Sequence, residues 1–368
     1  MNGIFIHHNS DPEKEASGEI KKVRMQISAM IEEGLIVKEI CIDHSSSIYK
    51  IIRRIPFYPS NGLKFSHSIK RLPLSDFDFI YIRKYMIDWG LIRLLKAIKR
   101  INPEIKIVFE IPTYPYDLEW NRLVDQTMLW KEKICRRFLY KYVDRIVTFS
   151  DDKEIWGIKT IPISNGIDIK CLPKKRIQSN KKETQINLLA VALLAPWHGY
   201  DRLIKGLFEY YKNPQEVIVY LNIVGTGPEY KNLQQLVKNY CLNNVVKFYG
   251  KLHGEDLSNL YNVNDLAIGS LGMHRIGLHK AHTLKVREYC AIGIPFIKSY
   301  YDNIFDNNHF KYMLNVSEDE SYIDIKNIIT FYNHLSMDKS KIDEMHNFAL
   351  NYLTWNKQLR PVIEYINL

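Results

Sequence analysis

Short apolar runs alternate with amphipathic stretches along most of this chain, and that alternation constrains the fold more than any other feature. In the first part, strand-like runs lie at 3–9, 35–42, 78–83, 104–111 and 144–150. Helical spacing of apolar residues separates several of these runs. Strands that are connected through helices form a parallel sheet with helices on both faces. The pattern therefore predicts an α/β fold with doubly wound sheets.

A polar, basic stretch at 169–185 interrupts the alternation and has the composition of a linker. Strand-like runs then begin again at 186–194 and 216–225. Two alternating blocks predict two Rossmann-like domains, in which ligands bind beyond the carboxyl ends of the strands. The predicted boundaries are 1–165 for the first domain, 166–345 for the second, and 346–368 for a C-terminal helix that crosses back to the first.

Charge and composition restrict the class of partner. The 368 residues carry a net charge of +10, which suggests nucleic acid, an anionic membrane surface or a phosphate-rich substrate. An RNA-binding signature, helix-turn-helix spacing and a basic tail are all missing, so nucleic acid is not predicted. The five cysteines are widely spaced and no run reaches the roughly 20 apolar residues of a membrane span. We expect a cytoplasmic protein that could attach peripherally to the inner face of the membrane.

The segment 282–297 carries the clearest site signal. Thr283 suits a helix N-cap and Gly293 a C-cap, so the helix would begin at Leu284. Lys285 lies in its first turn, where the helix dipole disfavours a cation unless an anion binds there. Glu288 shares a face with Lys285 and could accept hydrogen bonds from ribose hydroxyls. A surface Lys–Glu pair on an ordinary helix is the alternative.

Neighbouring loops add further candidates. Arg275 and Lys280 precede this helix, and cations there would neutralise a departing diphosphate, unless the loop is simply a basic surface. Gly225 and Gly227 form a GxG turn after a strand, which alone is a weak signal. His198 follows another strand end, where it could serve the site or shape a turn.

Six segments in the same order resemble the donor domain of retaining glycosyltransferases of the GT-B fold, family 4. They are NGID (165–168), VALLAPWHGYDRLI (191–204), IVGTGPEY (223–230), VKFYGKL (246–252), DLAIGSLG (265–272) and LKVREYCAIGIPFI (284–297). EIPTYPYDLE (110–119) also resembles a segment of bacterial members that build surface polysaccharides. The resemblance implies transfer of a sugar, with retention, from a nucleotide-diphosphate sugar to a glycan or lipid-linked glycan, without a metal or other cofactor.

The resemblance also implies roles for particular residues. Glu288 matches the second Glu of the family's Glu–seven residues–Glu motif, which holds the donor ribose. Lys280 replaces the first Glu, which in many members contacts the transferred sugar. Leu193 and His198 stand where the family usually has an Arg and a Lys that grip the diphosphate. We therefore expect His198 to donate a hydrogen bond and a nearby cation to compensate; the candidates are Arg275, Lys280 and, first among them, Lys285.

Other positions follow from the same resemblance. Base contacts are expected from the backbone around Lys251 and Leu252. Glu110 stands where members often have a His that contacts the donor sugar; it could orient a hydroxyl or stabilise an oxocarbenium-like centre, or be a buried structural carboxylate. Ser17 and Gly18 partly match the glycine-containing acceptor loop.

Several alternatives remain open. Asp76-Phe77-Asp78 spells the DxD metal triad of a different glycosyltransferase fold, and we interpret it as a chance match. An epimerase or phosphorylase of the same fold, or an inactive scaffold or membrane-bound partner, would share much of this pattern. The basic stretches 91–100 and 130–145 could rest on anionic lipid, or could pack on a sheet with solvated basic faces.

Overall fold

A computed structural model describes residues 1–9, 18–43, 55, 73–117, 123–176 and 184–368. The chain divides into two compact units. Unit 1 contains Met1–Asn165 and Trp355–Leu368, and unit 2 contains Gly166–Thr354.

Unit 1 is built on one sheet. In the described residues its strands are β1 (Asn2–Asn9), β2 (Ile36–Asp43), β3 (Phe79–Arg83), β4 (Lys106–Ile111), β5 (Arg145–Thr148), β6 (Glu154–Ile155) and β7 (Ile158–Pro162). Their spatial order is β2-β1-β3-β4-β5-β7-β6. All neighbours are parallel except β6 and β7. Its helices include α1 (Gly18–Glu32), α2 (Trp89–Ile101) and α3 (Leu123–Cys135). Every residue of β3 is buried, as expected of a parallel strand covered on both faces.

Unit 2 is built on a second sheet, in which all paired strands are parallel. Its strands are β8 (Gln185–Val191), β9 (Ile218–Val224), β10 (Val246–Gly250), β11 (Leu266–Ile268), β12 (Phe296–Lys298) and β13 (Met313–Asn315). Its helices are α4 (Tyr200–Tyr210), α5 (Tyr230–Asn239), α6 (Gly254–Val263), α7 (Leu284–Ile292), α8 (Asn303–Asn307), α9 (Ile325–Ser336) and α10 (Lys341–Tyr352).

The strand order of unit 2, β10-β9-β8-β11-β12-β13, reverses direction at β8. The chain runs outward from β8 to β10 and then returns to place β11 on the other side of β8. Loops that leave neighbouring strands in opposite directions open a crevice at the carboxyl edge of the sheet. The loops after β8 and β11 therefore flank the expected ligand position in this unit.

The chain ends in α11 (Trp355–Asn367), which belongs to unit 1 and packs on α1. Trp355 and Leu359 are buried in the same apolar cluster as Val23 and Met30. The segment 346–368 thus contains two helices, because α10 extends to Tyr352 and belongs to unit 2. The prediction of two doubly wound sheets with a helix that crosses back is confirmed. No helix in the described residues is long and apolar enough to cross a membrane.

Candidate functional site

The loops after β8 and β9 lie directly against each other at the carboxyl edge of the second sheet. Leu194 donates its backbone N–H to the carbonyl of Thr226 at 2.9 Å. A Cβ on Gly225 would lie 1.8 Å from the carbonyl oxygen of Ala192, and a Cβ on Gly227 would lie 2.3 Å from that of Leu194. Both glycines therefore allow a close approach of two backbones. The GxG turn shapes the site by holding the loop after β8 in place.

A tight turn presents the next candidate, His198. Residues Pro196–His198 form one 3-10 turn, and Gly199 ends it in the left-handed conformation at φ 63°. The carbonyl of His198 accepts the N–H of Leu271 at 2.9 Å, and a Cβ on Gly199 would lie 2.6 Å from the Leu271 carbonyl carbon. The loops after β8 and β11 are joined at this point, as the reversal of strand order requires.

His198 is buried and neutral. Its Nδ1 lies 3.0 Å from Ser270 Oγ, and its ring stacks on Tyr200 with centroids 5.6 Å apart. Burial, followed by the charge of Lys285, lowers the pKa of His198 to about 3, while a hydrogen bond to the Leu193 backbone acts in the opposite direction. A neutral imidazole can accept a hydrogen bond at Nδ1.

One donor at this atom is Lys285, in the first turn of α7. Its Nζ lies 3.1 Å from His198 Nδ1 and 3.3 Å from the Tyr200 hydroxyl. Within the described ranges, none of the ion pairs includes Lys285. Burial lowers the pKa of Lys285 to about 7, although Glu288 acts to raise it. A partly buried cation whose hydrogen-bond partners are neutral groups is poised to receive an anion.

The N-terminus of α7 adds donors at the same place. Thr283 is the N-cap residue, as predicted, but its hydroxyl bonds to the Tyr300 hydroxyl at 2.6 Å and makes no cap hydrogen bond. Gly293 ends the helix in the left-handed conformation at φ 87°. Because the Thr283 side chain does not cap the first turn, the amides of that turn and the positive end of the helix dipole add to the charge of Lys285.

Glu288 lies one turn further along α7 and is half-buried. The pKa of the Tyr261 phenol in α6 is raised mainly by burial and, to a smaller extent, by the negative charge of Glu288. Glu288 and Lys285 therefore lie near one another on a helix that starts at the crevice. This arrangement places a carboxylate about one helical turn from the anion-attracting end.

The guanidinium of Arg275 is paired within the protein. Its guanidinium makes a bidentate pair with Asp201 at 2.8 and 2.9 Å. It also donates to Glu320 at 2.8 and 2.6 Å and to the Pro196 carbonyl at 2.9 Å. An arginine has five N–H donors, and these contacts occupy all five. Its hydrogen bonds with Glu320 and Asp201 raise the pKa of Arg275 and tie the loop after β11 to α4, which favours a structural role over contact with the diphosphate.

The remaining donor-side candidates are distributed around α7 and β10. Lys280 forms an isolated parallel bridge with Tyr301, and its Nζ lies 5.7 Å from that ring. Leu284 is the first residue of α7 and is exposed. Lys251 is exposed, and Leu252 packs against the apolar core beneath α6 and α7.

Glu110 lies on β4 of unit 1 and is completely buried. Its Oε2 accepts hydrogen bonds from Tyr81 at 2.6 Å and Gln26 at 2.8 Å, and its Oε1 pairs with Arg83. Burial opposes ionisation, but Arg83, then Lys22 and the two hydrogen bonds, outweigh it and lower the pKa of Glu110. Both oxygens are occupied inside the core. The geometry favours the structural alternative over contact with a sugar.

The remaining sequence candidates belong to unit 1. Ser17 lies outside the described residues, and Gly18 begins α1. Asp78 accepts the N–H of Asn2 at 2.7 Å, which ties its carboxylate to the start of β1. Within the described residues, no group of three or more His, Cys, Asp and Glu side chains could hold a metal ion. Sequence reasoning missed Tyr200 and Ser270, although both follow strand ends, where loop residues gather.

Comparison with known proteins bears on the family and the fold. The family model for glycosyl transferases group 1 matches residues 173–306. An uncharacterized glycosyltransferase of Methanocaldococcus jannaschii is 26% identical over 60% of this chain and 59% of its own length. An uncharacterized glycosyltransferase of Haemophilus influenzae is 26% identical over 77% of each chain. The crystal structure of Anabaena HepE in complex with UDP has a TM-score of 0.62 at 14% identity and covers 100% of both chains.

Two Rossmann-like sheets with a returning C-terminal helix define the GT-B class of fold. Residues 173–306 therefore match the glycosyltransferase group 1 family, and both of these relatives are glycosyltransferases.

Proposed function

We propose that this enzyme moves a sugar, with retention, from a nucleoside-diphosphate sugar to a glycan or lipid-linked glycan in surface polysaccharide biosynthesis. Unit 2 binds the donor and unit 1 carries the acceptor side. The position of Lys285 supports donor binding by unit 2. At the start of α7, its Nζ lies 3.1 Å from Nδ1 of the neutral His198 and 3.3 Å from the Tyr200 hydroxyl.

In this proposal the donor diphosphate lies against the first turn of α7. Negative charge builds up on the diphosphate as the glycosidic bond to the sugar breaks. Lys285 and the amides of the first turn are already in place in the folded structure. They therefore stabilise this charge as it develops. His198 holds Lys285 in place through Nδ1, and Ser270 fixes the imidazole from the side. Catalysis then depends on leaving-group stabilisation and positioning rather than on a nucleophile.

The ribose and the sugar occupy positions further along the same elements. Glu288 accepts hydrogen bonds from the ribose hydroxyls, one turn beyond Lys285. Lys280, in the loop before α7, lies on the side of the transferred sugar, and Lys251 and Leu252 lie near the base. The UDP complex of HepE supports UDP as the first nucleotide to test.

The exposed side chains of Trp130, Lys133, Arg137 and Tyr140 support contact of unit 1 with anionic lipid. Trp130 is 48% exposed and Tyr140 56% exposed, and both cations are also exposed. Aromatic rings with cations between them suit the headgroup region of a bilayer. Sedimentation with anionic and neutral vesicles tests this: we expect salt-sensitive binding to anionic vesicles alone, lost when Lys133 and Arg137 are both changed to Glu. Equal binding to both vesicle types would contradict it.

Thermal unfolding with UDP, GDP and their sugars tests the donor proposal. We expect one nucleoside diphosphate to raise the melting temperature by several degrees, since binding only to the folded state stabilises it. The sugar form that stabilises most is then incubated with oligosaccharide acceptors, and the anomeric configuration of the product is read by NMR. No stabilisation by any nucleotide would contradict the donor site. Inversion of configuration, or an epimerised sugar nucleotide without transfer, would contradict the reaction.

A further inference from the structure

One face of the second sheet is polar at its amino-terminal edge, which is unusual for interior parallel strands. In β9, Val219, Leu221 and Ile223 are buried, whereas Tyr220 and Asn222 between them are only partly buried. Parallel strands are normally covered on both faces and have nearly continuous apolar sequences. The alternation in β9 instead matches a strand with one solvated face.

The polar positions of neighbouring strands lie side by side. Asn187 of β8 is paired in register with Tyr220, and Lys247 of β10 is paired with Asn222, so all four side chains project from the same face. Asn222 donates to Asn264 at 2.8 Å, immediately after α6, which fixes its amide. The last residue of α6, Val263, is 43% exposed and forms one edge of the uncovered area. The polar face is therefore a shaped surface on rigid strands.

A pocket of about 420 Å³ occupies this face. Its described lining includes Asn187, Asn222, Asn243, Asn244, Tyr220 and Tyr249, together with Lys247. None of these described lining residues is acidic. In the part of the chain that the structure describes, the side chains of Asn187, Tyr220, Asn243 and Asn244 make no hydrogen bond to another residue, so their donors and acceptors are available to a ligand.

We propose that this polar sheet face is a second glycan-binding site that takes a neutral oligosaccharide. Amides both donate and accept hydrogen bonds, which suits a ligand with many hydroxyl groups. Tyrosine rings provide an apolar surface with a hydroxyl at the edge, which suits the alternating C–H and O–H faces of a sugar. The volume is within the usual range for small-ligand pockets.

Other ligand classes fit less well. Lys247 is the one cation among the described lining residues, whereas a phosphate-rich ligand requires several donors of positive charge. A divalent cation requires carboxylates, and the described lining contains none. Asn187 and Tyr220 lie in the amino-terminal halves of β8 and β9, whereas the donor site lies at the carboxyl ends of the strands. Asn187 and Tyr220 are each the third residue of a seven-residue strand, about 13 Å from its carboxyl end.

Binding to an array of neutral gluco-, galacto- and manno-oligosaccharides of several lengths tests the inference. We expect the wild-type protein to bind at least one of these glycans and Tyr220→Ala to lose at least about fivefold in affinity, a typical loss for one aromatic contact. Tyr322→Ala is the matched control, because Tyr322 is a 53% exposed tyrosine of unit 2 outside this face. Asn187→Ala serves as a second variant, with an expected loss of the same order.

The result separates this site from the donor site. Both variants should keep the wild-type melting temperature and the wild-type affinity for the nucleoside diphosphate, whether or not the transferase reaction is found. An array without binding, binding only to acidic glycans, or unchanged glycan affinity in both Tyr220→Ala and Asn187→Ala would overturn the inference.

Discussion

Donor binding should take up a proton, because Lys285 changes its surroundings when a diphosphate arrives. In the free protein, burial holds the pKa of Lys285 near 7. A bound diphosphate returns that pKa toward the ordinary value for lysine, since an adjacent anion favours the charged form. The complex therefore binds more protons than the free protein. Affinity is greatest below pH 7 and is lost as pH rises above it.

The size of this effect follows from the pKa near 7. Above that pH the protonated fraction of Lys285 falls about tenfold per unit, so the association constant should fall about tenfold between pH 8 and pH 9. The phosphates of UDP are fully ionised above about pH 7.5 and do not contribute in this range. The groups that face Lys285 are His198, Tyr200 and Glu288. Burial lowers the pKa of His198 to about 3 and raises the pKa of Tyr200, so neither group should change its protonation between pH 7 and pH 9.

Isothermal titration calorimetry at pH 8 in phosphate and in Tris measures the proton directly. We expect uptake of about 0.9 proton per nucleotide at pH 8 and about half a proton at pH 7. Lys285→Arg keeps its charge and should bind without proton uptake. Lys285→Met should bind about 10- to 100-fold more weakly, with no pH dependence over this range. Equal heats in the two buffers, with wild-type affinity constant from pH 7.5 to 9, would refute the reasoning.

Three further substitutions test the structural roles assigned above. Arg83→Ala leaves the buried carboxylate of Glu110 without its cation and should lower the free energy of unfolding by about 3–5 kcal/mol in urea titrations; a loss under about 1 kcal/mol would contradict the pairing. Gly225→Ala forces a Cβ to within 1.8 Å of a backbone oxygen and should cost more than about 2 kcal/mol, whereas Gly254→Ala meets no atom within 4 Å and should cost less. Arg275→Ala should lower the melting temperature while leaving nucleotide affinity, measured by calorimetry, within about twofold; a selective loss of affinity would restore it to the site.

Local patterns in the sequence predicted the elements well, because they depend on near neighbours. Alternation predicted both sheets, and the spacing from Thr283 to Gly293 predicted the two ends of α7. The β6–β7 hairpin was not predicted because β6 has only two residues, too few to show a strand pattern before the turn at Trp156 and Gly157. Trp156 adopts φ 52°, which no sequence rule assigns to a tryptophan.

The chemistry of the site was harder to predict, because it depends on distant residues. Lys285 and His198 are 87 positions apart and meet only because the strand order reverses at β8. Arg275 has the residue type and position of a phosphate ligand. Its carboxylate partners, Asp201 and Glu320, lie 74 and 45 positions away, and sequence spacing gives no sign of them. The presence of a positive charge in the sequence could not distinguish Arg275, which is paired with carboxylates, from Lys285, which is positioned for an anionic ligand.

A crystal structure with whichever nucleoside diphosphate stabilises the protein tests the central claim most directly. We expect the diphosphate oxygens within hydrogen-bond distance of Lys285 Nζ and the first amides of α7, and the ribose hydroxyls within hydrogen-bond distance of the Glu288 carboxylate. Glu288→Ala should then abolish nucleotide binding. A nucleotide bound away from α7, or bound with unchanged affinity in Glu288→Ala, would contradict the account.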